Sequence, residues 1–89
     1  MMKNPPHPGE LIGDSLEQLG VTVDDAAKAL GVSSQELQDV VSGQVSITPQ
    51  MAVRLEKALG STADTWLRMQ SNYDLAHIEA SSIKVKRLA

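Results

Sequence analysis

Eighty-nine residues suffice for one domain built on a single small core. The chain has no cysteine, which excludes disulfides, thiol nucleophiles and thiolate metal sites and fits a reducing, cytoplasmic setting. No apolar run is longer than Met51-Ala52-Val53, which excludes a membrane span, and a net charge of -3 weighs against a nucleic-acid binder.

The N-terminus carries Lys3 with no apolar stretch behind it, so it does not read as a secretory signal. The first helix, over residues 8–19, opens at His7-Pro8-Gly9-Glu10. Pro8 takes the first helical position, where its missing N–H costs nothing, and His7 reads as the N-cap. Leu11, Ile12, Leu16 and Leu19 follow at helical spacing, and Gly20 stops the run. The second helix, 23–30, starts behind Thr22 as a cap, carries Ala26, Ala27 and Leu30, and ends at Gly31. The third, 34–42, opens on Ser33-Ser34-Gln35-Glu36, a capping box in which Ser33 and Glu36 satisfy each other's orphan donors. Leu37, Val40 and Val41 form its apolar face, and Gly43 ends it.

After the short loop Gln44-Val45-Ser46-Ile47, the fourth helix, 49–59, has Thr48 as cap and Pro49 at its first position, with Met51, Ala52, Leu55 and Leu59 inward. The fifth, 62–80, carries Trp66, Met69, Gln70 and Tyr73 at three- and four-residue steps, a core stripe in which Trp66 closes the bundle. In the tail, 81–89, Ile83-Lys84-Val85-Lys86-Arg87-Leu88 alternates apolar and basic residues, which predicts a short C-terminal edge strand or a frayed end. Leu67, Leu75 and Ile78 lie on other faces of the fifth helix. That excess of apolar surface, continued by Ile83 and Val85, predicts a two-fold dimer contact.

The turn Gly31-Val32-Ser33 between two short helices is a helix-turn-helix signature, shared with ordinary helical corners. Ala27 must be small where the helices cross, Gly31 must accept a left-handed backbone, Val32 plugs the corner, and Leu37 and Val41 pack the third helix back.

Charge is unevenly distributed. Residues 1–47 hold Lys3 and Lys28 against Glu10, Asp14, Glu17, Asp24, Asp25, Glu36 and Asp39, whereas residues 48–89 hold six bases against four acids. The acidic half contains the helix-turn-helix unit.

Ala27…Gly31-Val32…Leu37…Val41…Gly43, in the second and third of five helices, resembles the phage-repressor (Cro/cI-type) helix-turn-helix family. Three further motifs narrow it: His7-Pro8-Gly9-Glu10-Leu11-Ile12, Ile47 through Leu55, and Trp66 through Leu75 together resemble the HigA antitoxins, over roughly residues 7 to 76. The resemblance implies an all-α, five-helix, phage-repressor-like domain spanning residues 1–89. It implies a homodimeric transcription factor that lays its third helix in the major groove of double-stranded operator DNA. It also implies a partner, a small basic ribonuclease toxin of the HigB (RelE-like) kind, neutralised by this chain while their operon is repressed.

On that reading Ser34, Gln35 and Gln38 face the bases, with glutamine suited to the N7/N6 edge of adenine. Thr22 with the start of the second helix, and Gln44 with Ser46, face phosphate. The chain departs from the family in carrying Ser34-Gln35 and Gln44-Val45 where HigA-like proteins commonly carry Arg or Lys. Weak operator binding by the free protein, or binding only in complex with a basic toxin, is the expectation. A stand-alone regulator and a protein-interaction module with weak or lost DNA binding are the alternatives.

No enzyme, metal or cofactor is expected. His7 and His77 have no ligand-spaced partner, and there is no HExxH, phosphate-cradling glycine loop or GxSxG motif. His77 reads as a surface residue.

Overall fold

The computed structural model describes residues 5–78 and 80–88, which form five α-helices and no strand. They are α1 (Pro8–Leu19), α2 (Val23–Leu30), α3 (Ser34–Val41), α4 (Pro49–Leu59) and α5 (Ala63–Ala76), followed by a 3-10 turn, Ala80–Ser82. The all-α, phage-repressor-like architecture expected from the motifs is present.

Capping chemistry sets the starts. Side-chain oxygens of Thr22, Ser33, Thr48 and Thr62 each accept the backbone N–H three residues on. At α1 the cap is His7, whose Nδ1 accepts the Gly9 N–H at 2.9 Å. Gly20 and Gly31 close α1 and α2 in the left-handed region.

The apolar stripes converge on one core of Ile12, Leu16, Leu30, Leu37, Val40, Ile47, Met51, Leu55 and Trp66, with Ala26, Ala27 and Ala52 where helices approach closely. α2 packs on α3 and α4, α1 on α3 and α5, and α4 on α5. Trp66 is buried in this core and donates its Nε1–H to the Gly60 carbonyl at 3.3 Å.

Three boundaries differ from the sequence expectation. α3 ends at Val41, with Ser42 as C-cap and Gly43, at φ +80°, one residue beyond. α5 starts at Ala63 and ends at Ala76 instead of running to residue 80. His77 terminates it: the ring stacks on Tyr73, centroids 4.2 Å apart, and its Nδ1–H donates to the Tyr73 carbonyl at 2.9 Å, satisfying an end-of-helix acceptor. Residues 83–88 form no strand, because an edge strand needs a ladder partner and no described segment provides one.

Candidate nucleic-acid interface

The helix-turn-helix pair is built as its residues require. Ala27, 1% exposed, lies where α2 and α3 meet. Gly31 turns the chain at φ +76°, Val32 is half-buried against the core, and Leu37 is fully buried beneath α3. Val41 is half-buried and reaches α1 as well: its Cγ1 lies 3.4 Å from where a Cβ on Gly13 would sit.

Each end of α3 is pinned. At its start both bonds of the capping box form, Glu36 N–H to Ser33 Oγ at 3.0 Å and Ser33 N–H to Glu36 Oε1 at 3.3 Å. Glu36 is therefore committed to the helix start. At its far end the first turn of α1 presses against Val40, so closely that a Cβ on Gly9 would stand 1.9 Å from the Val40 carbonyl oxygen. Gly43 passes under the His7 ring, and that ring meets Tyr73 of α5 edge-on at 4.8 Å. One joint thus ties α1, α3 and α5.

The loop from Ser42 to Thr48 is anchored at its two ends. The Asp39 carbonyl accepts from Gln44 N at 2.8 Å and Val45 N at 3.3 Å. At the other end Ile47 N–H donates to Oε1 of Gln70, a side chain only 4% exposed, at 2.8 Å. Gln44 and Ser46 lie exposed between these anchors.

Ser34, Gln35 and Gln38 are all exposed, and their spacing puts them on one face of α3, opposite Leu37 and Val40. Gln35 donates from Nε2 to Asp39 Oδ1 at 2.7 Å, so its amide lies along the helix and partly occupies Asp39. Gln38 has no side-chain partner among the described residues. Thr22 is exposed with its Oγ1 accepting from Asp25 N–H at 3.1 Å. All six candidate contact residues are thus exposed, three on α3, two in the loop after it and one at the start of α2.

Of the five residues assigned to a dimer seam, Leu75, Ile78, Ile83 and Val85 are exposed, while Leu67 is half-buried against the core. Sequence reasoning missed the roles of three residues. Arg54, counted only as a base, donates from Nη1 to the Leu30 carbonyl at 2.7 Å and so caps α2. Gln70 holds the loop, and Gly9 permits the contact between α1 and α3. The glycine beside the His-Pro cap was the one available signal for the last.

Residues 13–66 match the family model described as "Helix-turn-helix". The chain belongs to the helix-turn-helix family. Within it the chain is similar to virulence-associated protein A' of Dichelobacter nodosus, 43% identical over 98% of this chain and 77% of that protein. It is also similar to a solved addiction-module antidote protein of a HigA family from Coxiella burnetii, at TM-score 0.79 and 34% identity, covering 82% of this chain and 80% of that one. The Pseudomonas aeruginosa antitoxin HigA, solved with the higBA promoter, superposes at TM-score 0.77 and 37% identity, over 81% of this chain and 79% of that one. The HigA likeness carried by the sequence motifs is therefore present in sequence and in fold. No described helix is long and apolar enough to cross a membrane.

Proposed function

We propose that this chain is the antitoxin of a type II toxin–antitoxin pair: a cytoplasmic, non-enzymatic homodimer that binds its operator through α3, represses its operon and neutralises a small basic HigB-like toxin. The observation that carries the reading is the uncovered α3 face, with Ser34, Gln35 and Gln38 exposed on a helix pinned at its two ends. The HigA relative solved with promoter DNA supports it.

Gln38, whose amide is unspent, is the better adenine reader, and Gln35 reads with the oxygen that its bond to Asp39 leaves available. Thr22, with the outward N–H groups at the start of α2, meets one phosphate, and Gln44 and Ser46 meet the next. A basic toxin suits the acidic first half of the chain electrostatically. That same acidity also favours a second reading, an interaction module that reads DNA poorly or not at all.

Titration of a promoter fragment with the free protein and with the co-expressed product of its neighbouring gene separates these readings. We expect weak binding alone, tighter binding in complex with a co-purifying basic protein, and a further loss of about 5- to 150-fold for Gln38→Ala. Tight binding by the free protein at physiological salt refutes the weak-binding reading. Failure of any basic protein to co-purify refutes the antitoxin reading, and absence of a shift with or without it leaves the interaction module.

A further inference from the structure

The region that faces DNA in the proposed function is short of positive charge. From Thr22 to Ser46 it holds Lys28 against Asp24, Asp25, Glu36 and Asp39. On the later helices Arg54 donates from Nη1 to the Leu30 carbonyl at 2.7 Å, and Arg68 forms an exposed pair with Asp64 at 2.5 Å. Cations outside this region therefore carry much of whatever phosphate neutralisation the chain achieves.

Residues 80–88 contain three bases, Lys84, Lys86 and Arg87, and no acid. Lys84 and Lys86 are exposed, outside any helix, beside Val85 at 82% exposure. In an extended chain they share one side while Ile83 and Val85 share the other. Two residues of extended chain advance about 6.8 Å, far enough for the two ammonium groups to meet separate phosphates of a backbone that carries one charge per roughly 3.4 Å of axis on each strand. A two-fold dimer joined at the end of α5 brings both tails near the axis, between recognition helices about 34 Å apart.

We propose that Lys84 and Lys86 form a second DNA contact, an arm that grips backbone phosphate near the operator centre and supplies part of the charge missing around α3. This rests on the reading of α3 as a DNA-binding helix. The arm carries no base information, so it acts equally on operator and on random sequence.

The test is the salt dependence of binding by the full-length chain, followed by fluorescence anisotropy between about 50 and 200 mM salt, above the dimerisation concentration. For Lys84→Ala/Lys86→Ala, four cations leave each dimer, and the slope of log affinity against log salt should become shallower by about 3 to 4 on operator and random DNA alike. Lys84→Arg/Lys86→Arg should keep the parent slope. Lys57→Ala/Arg68→Ala, with the same charge change elsewhere, should also keep it.

An unaltered slope in the double alanine variant overturns the arm. So does an equal fall in the Lys57/Arg68 variant, which makes the effect one of net charge, or a fall confined to operator DNA. If the parent chain binds no DNA, the α3 reading itself fails and the arm with it.

Discussion

Gly9 and Gly13 lie one turn apart on α1 and face α3, yet a methyl group at each meets opposite conditions. At Gly13 the nearest atom is a side-chain carbon of Val41 at 3.4 Å, an ordinary contact; at Gly9 it is the Val40 backbone oxygen at 1.9 Å. Alanine at either site gains helix propensity, worth up to about 1 kcal/mol. At Gly9 the clash outweighs that gain, because both partners are backbone and neither can rotate away. We expect Gly9→Ala to lower stability by about 1–3 kcal/mol and Gly13→Ala to leave it equal or raise it, read from urea unfolding midpoints. Equal midpoints for the two variants would contradict the close approach. His7 completes the joint from the other side. Its Nδ1 accepts the Gly9 N–H, and its ring covers Gly43.

At the scale of elements, the loop after α3 depends on a contact between distant parts of the chain. Gln70 accepts the Ile47 N–H and donates to Asp74 Oδ1 at 2.9 Å, so α5 holds the segment that carries Gln44 and Ser46. Gln70→Leu retains the volume but leaves a buried N–H without a partner, costing about 1–3 kcal/mol. Hydrogen exchange should lose protection at Ile47 first, ahead of the helical amides. Unaltered protection there would mean that the loop is held by packing alone. The sequence exposed the helix starts and most stops because those signals are local: the Ser33–Glu36 box, the Thr caps, His7 ahead of Pro8, and Gly20 and Gly31. It could not expose the partner of Gln70, 23 residues away, or the closeness of Gly9 to Val40, since neither leaves a periodic trace. The end of α5 escapes the sequence for a related reason. No glycine or proline marks its end, and the stacking of His77 on Tyr73 that finishes it is not a composition signal. The α3 face was legible because the residues opposite Leu37 and Val40 must point outward, whereas the bond from Gln35 to Asp39 was not anticipated.

The molecule as a whole leaves apolar surface that its own core does not use. Leu75 and Ile78 at the end of α5 are 67% and 50% exposed, and Ile83 and Val85 continue the patch into a segment with no ladder partner. Single exposed apolar residues are ordinary, but four within eleven residues make a candidate seam. Leu67 is instead packed partly against the core. On the proposed homodimer reading, a two-fold pairing would bury the same patch on each copy and present two α3 helices to a two-half-site operator. Leu75→Asp/Ile78→Asp places charge in the seam without touching the core. Sedimentation should then find monomer where the parent chain is dimer, with helical circular dichroism unaltered. Operator affinity should drop by about 10²-fold or more, because the second half-site no longer binds as an intramolecular event. A variant that stays dimeric places the seam elsewhere. One that becomes monomeric yet keeps its operator affinity shows that a single α3 suffices, and the two-half-site geometry would then have no part in recognition.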